Sequence, residues 1–92
     1  MELDKAKRLA VNALLWIAKD HSNLKSFLLF SGANADDLRV RSKDPEFLSF
    51  ILDFFMTSDD LILGLSQNLD IPPEEIQTAH SVLSGKDLRH WT

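Results

Sequence analysis

The most apolar stretch of the chain, Phe47 to Met56, reads Phe-Leu-Ser-Phe-Ile-Leu-Asp-Phe-Phe-Met, with only Ser49 and Asp53 polar. At about 100° per residue, Ser49, Asp53 and the preceding Glu46 fall on one narrow stripe, and apolar side chains cover roughly two thirds of the helix circumference. Such a helix has to be surrounded. It is too short, and too closely flanked by charge, to span a bilayer, so its coat is the rest of the chain or a partner protein. Its start is clearly marked. Asp44 supplies an N-cap oxygen, Pro45 occupies the first helical position where its missing donor costs nothing, and Glu46 adds favourable first-turn charge.

The same periodicity predicts helices on either side. Leu3, Ala6, Ala10, Ala13, Leu14 and Ile17 recur on one face of a first helix from Leu3 to Lys19, with Leu9 and Trp16 at its edge and Lys5, Arg8, Asn12 and Lys19 opposite. A second helix fits Asn23 to Ser31, with Ser22 as N-cap, Leu24, Phe27 and Leu28 as the core stripe and Gly32 as a left-handed stop. Asn34 can cap a short third helix ending near Arg41, its first turn carrying Asp36 and Asp37. Beyond the Phe-rich helix, Thr57 or Ser58 caps a fifth, with Leu61, Leu65 and Leu69 on its apolar face. Gly64 inside it costs up to about 1 kcal/mol relative to Ala, which points to close helix packing or to a weak point. Pro72 and Pro73 start a sixth helix that turns Ile76, Ala79 and Leu83 inward and stops at Gly85. Apolar and polar residues rarely alternate and β-branched residues are sparse, so no strand is expected. The reading is all-α: a compact single-domain bundle of five to six short helices around a central Phe-rich helix at about 45–56, followed by an irregular C-terminal tail, 86–92.

Ninety-two residues make one domain near the small end of what buries an independent core. Six Phe and two Trp give that core its bulk, and a polar substitution at Phe50 or Phe54 is expected to unfold it. The absence of Cys excludes disulfides and thiolate-ligated metal. The N-terminus runs into an amphipathic helix with no apolar signal core, so a cytoplasmic location is expected. Charge is lopsided. Up to Lys43 basic residues outnumber acidic ones eight to five, whereas Asp44 to Gly85 holds eight carboxylates and no Lys or Arg.

That asymmetry decides between several kinds of chemistry. Residues 61–83 have the outline of a helix-turn-helix, but the would-be recognition helix opens with Glu74 and Glu75 and carries no cation to displace counterions from phosphate. Lys5, Arg8 and Lys19 share one side of the first helix without the interleaved aromatics of a stacking platform, and read as a solvated face. Glu46, Asp53, Asp59 and Asp60 are candidates for a carboxylate site. Catalysis would need two of them in contrasting surroundings, and a hard metal would need their oxygens to converge; Asp59 and Asp60 already serve a helix start, which leaves Asp53 and Glu46 the least explained. His21, His80 and His90 lie too far apart for a zinc motif. His21 belongs to the turn between the first two helices, and His80 reads as a hydrogen-bonded, partly buried imidazole. No nucleophile elbow or phosphate-cradling loop occurs. Neither a catalytic residue, a metal nor a cofactor is implied, and an enzyme is the weaker expectation. Trp91, next to the chain end, either docks on its own domain or meets a partner.

Taken in order, Ala13-Leu14-Leu15-Trp16, Phe27-Leu28-Leu29-Phe30-Ser31-Gly32, Asp37-Leu38-Arg39, Asp44-Pro45-Glu46-Phe47-Leu48, Leu52-Asp53-Phe54-Phe55 followed by Asp59-Asp60, and the closing His90-Trp91-Thr92 give the chain a family likeness. It resembles the small alphaproteobacterial family known as domain of unknown function 3572. The resemblance implies a bacterial, cytoplasmic, all-helical protein without an assigned activity, so it carries over no site residues.

The functional expectation is therefore a non-enzymatic protein-binding or regulatory module. Its acidic surface would use Glu46, Asp53, Asp59, Asp60, Glu74 and Glu75, with Trp91 as an apolar contact and uncovered apolar residues on the fourth and fifth helices. The expected partner is a protein, with nucleic acid the weaker expectation and no membrane, and the chain itself is expected to be a monomer or homodimer. The alternative is a nucleic-acid-associated regulator that joins the basic first helix to the 61–83 hairpin.

Overall fold

The computed structural model describes residues 1–41 and 44–85 of the chain. Six helices account for most of them: α1 Leu3–Lys19, α2 His21–Ser31, α3 Ala35–Arg41, α4 Pro45–Phe55, α5 Asp59–Leu69 and α6 Pro73–Leu83. No strand occurs among the described residues, and no helix is long and apolar enough to cross a membrane. The tail 86–92, with Trp91, lies outside the described residues.

The Phe-rich helix is the hub. It packs against α1 and α6, which also pack against each other, while α2 and α5 close it from two further sides. Phe47, Leu48, Ile51, Leu52, Phe54 and Phe55 are all buried, and Ser49 is buried with them. The polar stripe of the sequence is thus not one solvent face: Ser49 is enclosed, Asp53 turns towards α6, and Glu46 is exposed. The buried face of α1 mixes three small residues with Leu9, Leu14 and Ile17. Ala6, Ala10 and Ala13 are completely buried, and their size lets two helix backbones approach closely enough to enclose the bulky side chains between them.

Each end of these helices has a local cause. A single residue, Asp20, separates α1 from α2: its backbone N–H donates to the Ile17 carbonyl at 3.2 Å, while its carboxylate accepts from Ser22 N at 2.9 Å and Asn23 N at 3.4 Å. The cap of α2 is therefore Asp20, not Ser22, and the helix starts two residues earlier than its apolar stripe indicates, with His21 inside its first turn. Gly32 ends it at φ +73°, as expected. Asn34 and Asp37 cap α3 reciprocally, each side chain accepting from the other's backbone N–H at 3.0 and 3.3 Å. Asp44 caps α4 through Glu46 N at 3.0 Å, with Pro45 first in the helix. Neither hydroxyl caps α5. Ser58 holds the cap position without a side-chain bond, and Thr57 Oγ1 donates back to the Phe54 carbonyl at 2.6 Å.

Two apolar faces differ from their predicted stripes. On α1, Leu3 stays exposed because the last residue buried at that end is Ala6, whereas Leu9, placed at the edge by periodicity, is in the core. On α5 the buried positions are Ile62, Leu65 and Ser66, with Leu61 and Leu69 only half-buried. The α5 face is set by a close approach: a Cβ built on Gly64 would lie 2.8 Å from the Trp16 ring. Ser66 then closes the turn into α6 by donating to the Ile71 carbonyl, and Asp70 adopts a left-handed conformation with φ 54°.

Gly64 is therefore a packing requirement. Trp16 also packs against fully buried Phe55, ring centroids 5.6 Å apart, so a shift of its ring away from a new methyl would disturb that contact. Gly64→Ala is expected to lower stability in urea denaturation by about 1 kcal/mol or more, the overpacking outweighing the better helix propensity. In a Trp16→Leu background the same change should be neutral or stabilising. Asp20→Ala is expected to cost about 1 kcal/mol through loss of the α2 cap, read by the same measurement.

Candidate functional site

The carboxylates singled out by the sequence do not gather in one place. Asp59 and Asp60 occupy the first turn of α5, and Glu74 and Glu75 that of α6. Asp53, midway along α4, bonds through Oδ1 to Nε2 of His80 on α6. His80 is the partly buried, hydrogen-bonded imidazole the sequence indicated, its side chain 15% exposed against 43% for Asp53. Glu75 reaches back towards α1, its Oε1 4.0 Å from Lys5 Nζ. Among the described residues no three His, Asp or Glu side chains are arranged to hold a metal ion.

Glu46 is the exception, because it joins a concave surface. Where the end of α2, the end of α3 and the start of α4 meet, Ser31, Arg41, Asp44, Glu46, Phe47 and Phe50 line a groove of about 290 Å³. The Arg41 guanidinium lies over the Phe47 ring, 5.3 Å from its centroid, and Asp44 and Glu46 place two carboxylates at the rim. The floor continues into an aromatic pair. Phe50 stacks on Phe30 at 5.1 Å with the ring planes 27° apart, and Phe30 remains 41% exposed. Beside it Leu29, 78% exposed, adds a further apolar side chain from the same helix. The arrangement suits an apolar group inserted against aromatic rings with a cation at the carboxylate rim.

These rings belong to a network that carries the core. Phe27 meets Phe47 and Phe54 edge to face at 6.2 and 5.3 Å, Phe54 meets Phe55, Phe30 meets Phe54, and Phe55 meets Trp16. All six Phe and Trp16 are thus linked from the groove to Gly64. Phe50 is the half-buried end of the series, unlike Phe54. A polar residue at Phe50 is consequently less damaging to the fold than one at Phe54, which corrects the expectation that both would unfold the chain.

The family model described as protein of unknown function (DUF3572) matches residues 3–86. The chain belongs to this family. No curated protein and no solved structure matches it. The DUF3572 match takes in all six helices and every residue of the groove, and stops short of His90-Trp91-Thr92.

Sequence reasoning named Glu46 for the surface of this DUF3572 chain but missed Phe30, Phe50, Arg41 and Asp44 as its neighbours. A signal was present. Leu29 and Phe30 are two large apolar residues outside the Leu24, Phe27 and Leu28 stripe, with no helix left to cover them.

The pairing of Asp53 with His80 links α4 to α6. A double-mutant cycle with Asp53→Ala and His80→Ala in urea should return a coupling of about 1 kcal/mol, reduced from a buried value by the exposure of Asp53. Additive single costs would show that the pair contributes nothing.

Proposed function

We propose that this chain is a protein-binding module whose docking site is the groove between α2 and α4, and that it takes a polypeptide segment carrying Lys or Arg beside a large apolar side chain. The observation that carries this reading is the Phe30 and Phe50 stack, left open to solvent next to the carboxylates of Asp44 and Glu46. A small domain that buries Phe27, Phe47, Phe54 and Phe55 almost completely yet leaves Phe30 exposed and its stacking partner Phe50 half-buried presents an apolar surface of the kind partners occupy. Asp44 and Glu46 exceed Arg41 by one negative charge, which supplies orientation and selectivity for a cationic neighbour. The nucleic-acid reading gains no comparable support. The surface joining α1 to the α5–α6 hairpin carries Glu74 and Glu75, and Glu75 offsets Lys5.

Titration of the ¹⁵N-labelled chain with the blocked tripeptide Arg-Trp-Arg tests the assignment. Saturable shifts are expected at the amides of Phe30, Glu46 and Phe50. The acidic tripeptide Glu-Trp-Glu should bind at least about tenfold more weakly. Phe50→Ala and the surface variant Glu46→Lys should each weaken binding of the basic peptide while helical circular dichroism is retained. Shifts scattered over the molecule, or equal binding of the two peptides, would refute it.

A further inference from the structure

A second groove lies away from the first, between the N-terminal half of α1 and the turn joining α5 to α6. It encloses about 340 Å³, at the low end of volumes that hold small molecules. Its floor is apolar: Leu9 is buried, and Leu69 and Ile71 are half-buried on either side of the left-handed Asp70. Its edge is polar and comes from one face of α1, where Lys5, Arg8 and Asn12 follow one another at helical spacing. Lys5 is already offset by Glu75 at 4.0 Å. Arg8 and Asn12, among the described residues, have no hydrogen-bond or ion-pair partner. Two cations and one carboxylate leave a single positive charge on this edge. A guanidinium fork next to an amide NH₂ one turn further on matches the planar, bidentate geometry of a carboxylate, while Glu75 opposes a second negative charge and so disfavours a phosphate dianion.

We infer that this groove is a binding site for a small amphipathic monocarboxylate. The carboxylate accepts from the Arg8 guanidinium and the Asn12 amide, and the apolar body lies over Leu9, Leu69 and Ile71. The site shares no residue with the α2–α4 groove and does not rest on the function proposed for it.

Sodium octanoate is a suitable probe, titrated into the ¹⁵N-labelled full chain with 1-octanol and n-octylammonium in parallel. Saturable shifts are expected at the amides of Arg8, Leu9, Asn12, Leu69 and Ile71, and absent from Phe30 and Phe50. Octanol should bind about tenfold or more weakly for want of the charge-assisted bonds, and Arg8→Gln should cost octanoate a similar factor. Arg8 is exposed, so the variant is expected to fold, which circular dichroism checks. Asn12→Asp, which leaves the helix face polar but adds a repelling charge, should abolish octanoate binding. The inference is overturned if octanol and octanoate bind equally, if Arg8→Gln and Asn12→Asp leave octanoate affinity unchanged, or if the shifts do not saturate.

Discussion

Enclosure of α4 by its own chain is the constraint on which this structure depends. A helix with apolar residues around most of its circumference is stable in water only if neighbours occupy nearly every direction. Here α1 and α6 take the two broadest sides, with α2 and α5 filling what they leave. The arrangement is compact, with a radius of gyration of 12.5 Å, close to the roughly 12 Å expected for a chain of this length. The price of surrounding one helix with only five short ones is incomplete cover. It falls where α3 joins the bundle: Leu38 is buried, but Val40 is 80% exposed, Phe30 is exposed and Phe50 is only half-buried.

The charge asymmetry acquires a mechanical explanation. Six of the eight carboxylates between Asp44 and Gly85 lie at helix starts: Asp44 and Glu46 at α4, Asp59 and Asp60 at α5, Glu74 and Glu75 at α6. There they interact favourably with the unpaired N–H groups and the positive end of each helix dipole. Asp53 is engaged by His80, and Asp70 forms the left-handed end of α5. The anionic half of the chain is anionic in large part because three helices begin in it. At α4 such a pair of carboxylates, Asp44 and Glu46, also borders the cavity lined by Phe47 and Phe50.

Most of the fold was legible in the sequence, and the reasons are local. Apolar periodicity marked out α1, while Asp44 with Pro45, and Pro72 with Pro73, placed the starts of α4 and α6, since each of these acts on the backbone beside it. Periodicity also placed Ile76, Ala79 and Leu83 in the core. What escaped was set by tertiary contact. The burial of Ile62 in place of Leu61 follows from the approach of Trp16 to Gly64, which connects residues 48 positions apart, and the union of Asp53 with His80 crosses 27. The grooves were illegible for the same reason. Each takes side chains from three elements, and no spacing along one element announces that Arg41, Glu46 and Phe50, or Arg8 and Ile71, will face a common space.

The junction at Asp20 limits how the molecule can vary in length. One residue that terminates α1 and initiates α2 has no slack in which an insertion could be absorbed. An added residue would turn α2 by about 100° about its own axis, carrying Phe27 off the interface with Phe47 and Phe54. The number of residues between Ile17 and Phe27 is thereby as much a part of the packing as the identity of either.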